Sequence, residues 1–266
     1  MDDLQLKQLL PLLSGLWWPF CRALAMLGAG PLLGERMVPV TVRVLLALVL
    51  AVVLMPISQK TALAVPPMSL QAIVVTAEQG LLGLVLGLAF HLAFSAIALL
   101  GFLLTSQLGL AMAVMNDPMN GSSSDVISGL LSVLCILVFF SIDGHLLLIG
   151  VLGGSFKAWP VGAGLGLLNM DALVSAVGWV FSAALLLALP VIFSTLVVQI
   201  GMGFLNRVAP SLNLFSLGFS LVTLFGLAML VLVLRHVPEH YQQMTQKVLT
   251  LIEQGLPTHA TGAPHG

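Results

Sequence analysis

The sequence predicts an all-α integral membrane protein with broken helices, and three observations carry the prediction. Of 266 residues, 59% are hydrophobic and only 7% charged, against about 25% charged in a soluble domain. The apolar runs are continuous and rich in Leu, without the period-two alternation of an outer-membrane barrel. In hydrocarbon, a helix is the element that satisfies its own backbone polar groups, so each run is assigned to helix and strands are not expected. The nine Lys and Arg stand singly and form no basic face, which sets nucleic-acid binding aside. Cys21 and Cys135 lie in apolar runs without CxxC or Cys/His spacing and are read as small buried hydrophobes, with no disulfide, metal or cofactor. The organisation expected is a single helical domain, residues 1–255, followed by a disordered tail, residues 256–266.

The first span is placed at about Leu12 to Leu33. Ala23-x-Ala25 is not taken as a cleavage site, because the residues before the apolar run are not positive and Arg22 adjoins it. Arg22 near mid-span costs roughly 2.5 to 3.5 kcal/mol, while each Leu, Ile, Phe or Val returns about 0.3 to 0.6. An intramembrane Arg faces protein or water, so Arg22 is read as a partner or intramembrane pairing site. Glu35-Arg36 makes a polar turn, and Pro39 and Arg43 lead into a second span ending at Met55-Pro56. Ser58 to Pro67, with Pro66-Pro67, is read as the first linker.

Between Glu78 and Asp117 there is no formal charge, a run too long for one perpendicular span of about 20 residues. It must bend, break or leave ordinary membrane geometry. Gly80, Gly83 and Gly87 line one face and admit a close helix backbone. The run then enters QLGLAMAVMNDPMNGSSSD, residues 107–125. Met112, Met115 and Met119 have helical spacing, and Asp117-Pro118 stops the helix because Pro lacks the amide donor and clashes with the preceding turn. The bland reading is an interhelical loop with a capping box at Ser122-x-x-Asp125. The sharper one is a soft, movable constriction.

A further span runs to Ile142, and another apolar run follows to Phe156. Ser141, Asp143 and His145 are rejected as a hydrolase triad, since that spacing on a helix puts the Asp opposite the other two. Gly162-x-Gly164-x-Gly166 has no preceding strand, misses the dinucleotide fingerprint and is read as a flexible linker. Residues 172–206 form a second charge-free run, with a kink or break expected near Leu187 to Pro190. Leu212 to Leu234 is a clean span. His236-x-x-Glu239-His240 matches a zinc-peptidase pattern, but Pro238 in a first helical turn leaves His236 outside the helix and off a metal-binding face. Tyr241, Met244, Val248, Leu251 and Ile252 give Glu239 to Gln254 one apolar face. In a six-span topology the charges lean toward cytoplasmic termini, with Lys7, Lys60, Lys157, Arg235 and Lys247 on one side and Arg36, Arg43 and Arg207 on the other.

A set of short motifs in order resembles the family of the flagellar biosynthetic protein FliR, a subunit of the type III export gate. These are Arg22, Pro31 and Pro39-x-x-x-Arg43 before a helix ending in Pro56, then Glu78-Gln79-x-x-x-Gly83, Gln107-x-Gly109-Leu110, Asp117-Pro118 and Gly144-His145. Ala188-Leu189-Pro190 and Leu205-Asn206-Arg207-x-Ala209-Pro210 follow, and the last block continues through Leu212-Asn213-Leu214-Phe215 to Gly218-Phe219. Ser211 and Ser220 depart from the Gln and Pro common in the family.

The resemblance implies a non-enzymatic subunit, present in a single copy, that assembles with the P and Q subunits and contacts the B subunit in the bacterial inner membrane at the flagellar basal body. It implies helical hairpins stacked in a right-handed spiral around a conduit for unfolded export substrates, with the segment matching Leu108 to Ser122 as a plug. The plug or gate residues are then Leu108, Gly109, Leu110, Met112, Met115, Asn116, Asp117, Pro118 and Gly121. Leu108, Met112 and Met115 are expected to seal, and Gly109, Asp117 and Pro118 to shape the turn. Partner or intramembrane polar contacts are assigned to Arg22, Arg43, Glu78, His145, Asn206, Arg207 and Pro210. Met suits such a seal because it packs flexibly without a fixed shape. A virulence secretion homologue is the alternative within the class. A secondary transporter or channel, motivated by the helix breaks at Pro118 and Pro190, lacks a convincing inverted repeat.

Overall fold

A computed structural model describes residues 3–31, 38–61, 65–66, 69–110, 115–117, 122–124, 126–164, 170–208 and 214–255. Among the described residues, eight helices carry the architecture in chain order: α1 (Asp3–Ala29), α2 (Val40–Thr61), α3 (Leu70–Gln107), α4 (Val126–Ser141), α5 (Gly144–Ala158), α6 (Met170–Val208), α7 (Leu214–Leu234) and α8 (Val237–Gly255). Two short strands, β1 (Met115–Asp117) and β2 (Ser122–Ser124), stand between α3 and α4. Among the described residues, four helices are long and apolar enough to cross a membrane, or up to five spans if α4 and α5 together form one broken span. The tail at 256–266, the Glu35-Arg36 turn and Gly166 lie outside the described residues.

Two prolines do less than the sequence leads one to expect. The second helix carries Pro56 inside it and continues to Thr61, which shortens the linker expected from Ser58. The sixth carries Pro190 and runs unbroken for 39 residues. A proline removes one backbone bond, but the remaining polar groups of an apolar segment have no better partners than the helix itself, so the helix continues. The charge-free run after Glu78 also stays helical as far as Gln107, giving α3 38 residues. At 1.5 Å per residue that is about 57 Å, well beyond a hydrocarbon core of about 30 Å. Ser69 starts it by accepting the Ala72 amide hydrogen on its hydroxyl (3.2 Å), an N-cap contact.

The chain divides into two compact units, one of Met1–His91, Asp143–Val174 and Gln246–Gly266, the other of Leu92–Ile142 and Ser175–Thr245. In the first, α1 packs on α2 and α2 on α5. The glycine face of α3 receives α1: a Cβ at Gly83 would overlap the Arg22 carbonyl oxygen, and one at Gly87 would stand 2.5 Å from the Met26 carbonyl oxygen. Gly80 faces open space. In the second unit, a Cβ at Gly101 would stand 2.7 Å from Ser128 Cα, so α3 and α4 touch backbone to backbone there. Tyr241 of α8 is buried and meets Phe94 edge-on, ring centroids 5.6 Å apart. Met244 and Val248, also buried, continue the predicted apolar face of α8. Burial of the Tyr241 hydroxyl in this apolar contact pushes its pKa up.

Candidate functional site

The predicted gate segment begins where α3 ends. Leu108 and Gly109 form a turn, with Gly109 at φ 74, a left-handed conformation that glycine adopts without a Cβ penalty. The Leu108 amide still closes a helical bond to the Leu104 carbonyl (2.9 Å), and the Gly109 amide closes a tighter one to Ser106 (3.2 Å). The chain then folds back on itself. Antiparallel pairing sets Met115 opposite Ser124, Asn116 opposite Ser123 and Asp117 opposite Ser122. This short ribbon joins two helices of an otherwise all-α fold, and Ser122 pairs with Asp117 four residues before α4 rather than capping that helix, against the expected capping box. Three-residue strands are too short to show a period. Met112, Pro118 and Gly121 lie outside the described residues.

The base of this segment is buried and bonded. Leu108 is 0% exposed. Thr223 of α7 donates its hydroxyl hydrogen to the Leu108 carbonyl (3.0 Å). Gln107 donates through Nε2 to Thr195 Oγ1 of α6 (2.7 Å), and that hydroxyl donates in turn to the Val191 carbonyl (2.9 Å). A Cβ at Gly226 would overlap Leu108 Cδ2, so the Leu108 side chain occupies the space that this glycine leaves. Gly109 faces the Phe219 ring, 2.9 Å from where its Cβ would stand. Leu110 is half-buried.

Arg22, by contrast, finds its partners within its own chain. Its side chain is 0% exposed. It donates from Nε to Gln79 Oε1 (2.8 Å), from Nη1 to Ser155 Oγ (3.0 Å) and from Nη2 to the Trp159 carbonyl (2.9 Å). The guanidinium also lies over the Phe156 ring, 4.1 Å from its centroid. Glu78, 5% exposed, accepts the Gly164 amide hydrogen on Oε1 (3.1 Å). One helix turn of α3 therefore presents Gln79 to the cation and Glu78 to the turn after α5, in which Gly162 and Gly164 have φ 87 and 84. The glycine-rich stretch read as a flexible linker is bonded at its described end.

The other predicted polar residues are dispersed. Arg43 is half-buried on α2, His145 exposed at the start of α5, and Asn206 and Arg207 exposed at the end of α6. Pro210 lies outside the described residues. Asp143 takes a left-handed conformation, φ 54, and its carbonyl accepts the amide hydrogens of Leu146 and Leu147, making it a helix junction. The eighth helix begins at Val237, with Pro238 in its first turn and His236 before it. No group of three or more His, Cys, Asp or Glu suited to a metal occurs among the described residues. Sequence reasoning missed Ser155, Thr195, Thr223 and Gly226. A hydroxyl or glycine in an apolar helix is a faint signal of a close approach, and nothing in it names the partner.

Comparison with known proteins places these features in one family. The profile of bacterial export proteins, family 1, matches residues 13–248. The flagellar biosynthetic protein FliR of Pectobacterium carotovorum subsp. carotovorum is 34% identical over 240 residues, 90% of this chain and 91% of that protein. FliR of Escherichia coli (strain K12) is 31% identical over 249 residues, 92% of this chain and 94% of the relative. FliR of Bacillus subtilis (strain 168) is 27% identical over 220 residues, covering 80% and 83%. The chain belongs to family 1 of the bacterial export proteins, the family of the flagellar biosynthetic protein FliR.

Proposed function

We propose that this protein is a non-enzymatic subunit of the flagellar type III protein export gate, and that residues 108–122 plug the conduit through which unfolded flagellar proteins pass. One observation carries the plug reading. A folded-back ribbon leaves a buried, hydrogen-bonded base at the end of a long apolar helix, in a family of export proteins. A gate for unfolded chains must seal against ions yet accept any side chain. Met112, Met115 and Met119 bring deformable apolar bulk, and the stretch from Gln79 to Asn116 holds no formally charged side chain to hydrate the seal. Its setting is the bacterial inner membrane at the flagellar basal body, beside the P and Q subunits and in contact with the B subunit. Deleting Gly109 to Gly121 is expected to raise ion conductance through the assembled gate and slow growth on induction. Unchanged conductance and growth would overturn the plug reading. A virulence secretion system shares this physical logic, and the flagellar names of the relatives favour the flagellum.

A further inference from the structure

We propose that α7, together with Thr195 of α6, forms the socket that positions the plug, and that Leu108 anchors the segment in that socket instead of sealing the conduit. The inference rests on the plug reading and reassigns one of its residues. Phe219, Thr223 and Gly226 stand at i, i+4 and i+7 of α7, one face of a helix, and all three meet residues 108–109. Phe219 lies against the left-handed Gly109, where a side chain would collide with the ring. Thr223 holds the Leu108 carbonyl. Gly226 opens the space that Leu108 Cδ2 fills. One residue earlier, Gln107 is tied to Thr195, whose Cγ2 would lie 3.2 Å from a Cβ at Gly226. The socket thus grips three consecutive residues by side chain, carbonyl and backbone.

A residue held in this way is a poor moving seal, because leaving the socket breaks the hydrogen bond from Thr223 to its carbonyl and empties a filled apolar space. Leu108 therefore stays in its socket. Thr195, Thr223 and Gly226 are positioning residues: they set where the plug starts without entering the path.

The test uses the assembled gate, with copurification of the subunits as the measure of assembly. Gly226→Ala pushes Leu108 out of its space and is expected to raise ion leak severalfold with assembly intact. Adding Leu108→Ala is expected to return leak toward the native level, since the smaller side chain makes room for the new methyl. Thr223→Val is expected to raise leak and Thr223→Ser to leave it native. A native leak in Gly226→Ala, or no rescue in the double variant, overturns the socket. The anchor is tested separately by a Leu108→Cys/Gly226→Cys pair in a Cys21→Ala/Cys135→Ala background. Oxidation is expected to join the two cysteines and leave export running. Failure of the pair to join, or an export block relieved by reductant, overturns the anchor. If deleting Gly109 to Gly121 leaves conductance unchanged, the plug reading fails, while the cross-link still reports whether Leu108 sits against Gly226.

Discussion

Arg22 shows how one side chain can hold several elements in an apolar protein. Its fork reaches Gln79 on α3, Ser155 on α5 and the Trp159 carbonyl just beyond α5, and Glu78 adds a nearby opposite charge. Each contact satisfies a polar group that has no water to turn to, so the arrangement offsets the desolvation of the cation only when complete. Replacing Arg22 by Met is expected to destabilise the protein by about 1–3 kcal/mol for each buried acceptor left without its donor. Gln79 Oε1 and the Trp159 carbonyl would lose theirs. Arg22→Lys should fall between the two, because one ammonium cannot reproduce the geometry of a planar fork. Thermal unfolding in detergent checks both variants, and a native melting temperature for Arg22→Met would show that the network contributes little. The sequence marks Arg22 as a cation in need of partners, and the structure buries it among three hydrogen-bond acceptors. What the sequence could not show is that the partners lie 57 to 137 residues away in the same chain, because a polar contact between helices depends on packing that no local pattern encodes.

Among elements, α3 carries the sharpest contrast. Gly83 and Gly87 each leave space that the backbone of α1 fills, whereas Gly80 has nothing near it. Gly80→Ala should therefore be neutral or stabilising by up to about 1 kcal/mol, the helix propensity difference between the two residues. Gly87→Ala gains the same propensity but places its methyl 2.5 Å from the Met26 carbonyl oxygen and 2.8 Å from Ala29 Cβ. Rigid backbone cannot yield as a side chain can, so this variant should lose stability, by about 1–3 kcal/mol for an overpacked contact. Equal melting temperatures for the two variants would contradict the packing. The glycine period was legible because it needs only spacing, and the apolar face of α8 was legible for the same reason. The sequence overstated the breaks at Pro56 and Pro190, since a propensity rule weighs one lost bond without asking what else the backbone could bond to. Thr195 and Thr223 went unmarked because hydroxyls are common in apolar helices and bond their own backbone, as Thr195 also does.

At the scale of the molecule, the candidate spans keep broad apolar faces that the chain itself does not cover. Within the candidate spans only 22% of the α2 window, 33% of α6 and 17% of α7 is buried by the chain itself, against 50% of α3. Phe181, Phe193 and Phe204 on α6 are each more than 60% exposed. Lipid can cover such faces, but it gives no hydrogen bond to Gln199 or Asn206, which are exposed on the same helix. Polar groups facing hydrocarbon are costly, so these side chains call for another protein or for water. Under the proposed function the cover comes from the P and Q subunits. Coexpression with them is expected to yield one heteromeric complex that contains this chain in a single copy, whereas the chain expressed alone is expected to aggregate or be degraded. Native mass spectrometry of the detergent-solubilised complex reads the copy number directly. A self-sufficient, monodisperse monomer or homodimer would instead favour the transporter reading, in which the exposed faces meet lipid and the polar groups of α6 line a path inside one protein.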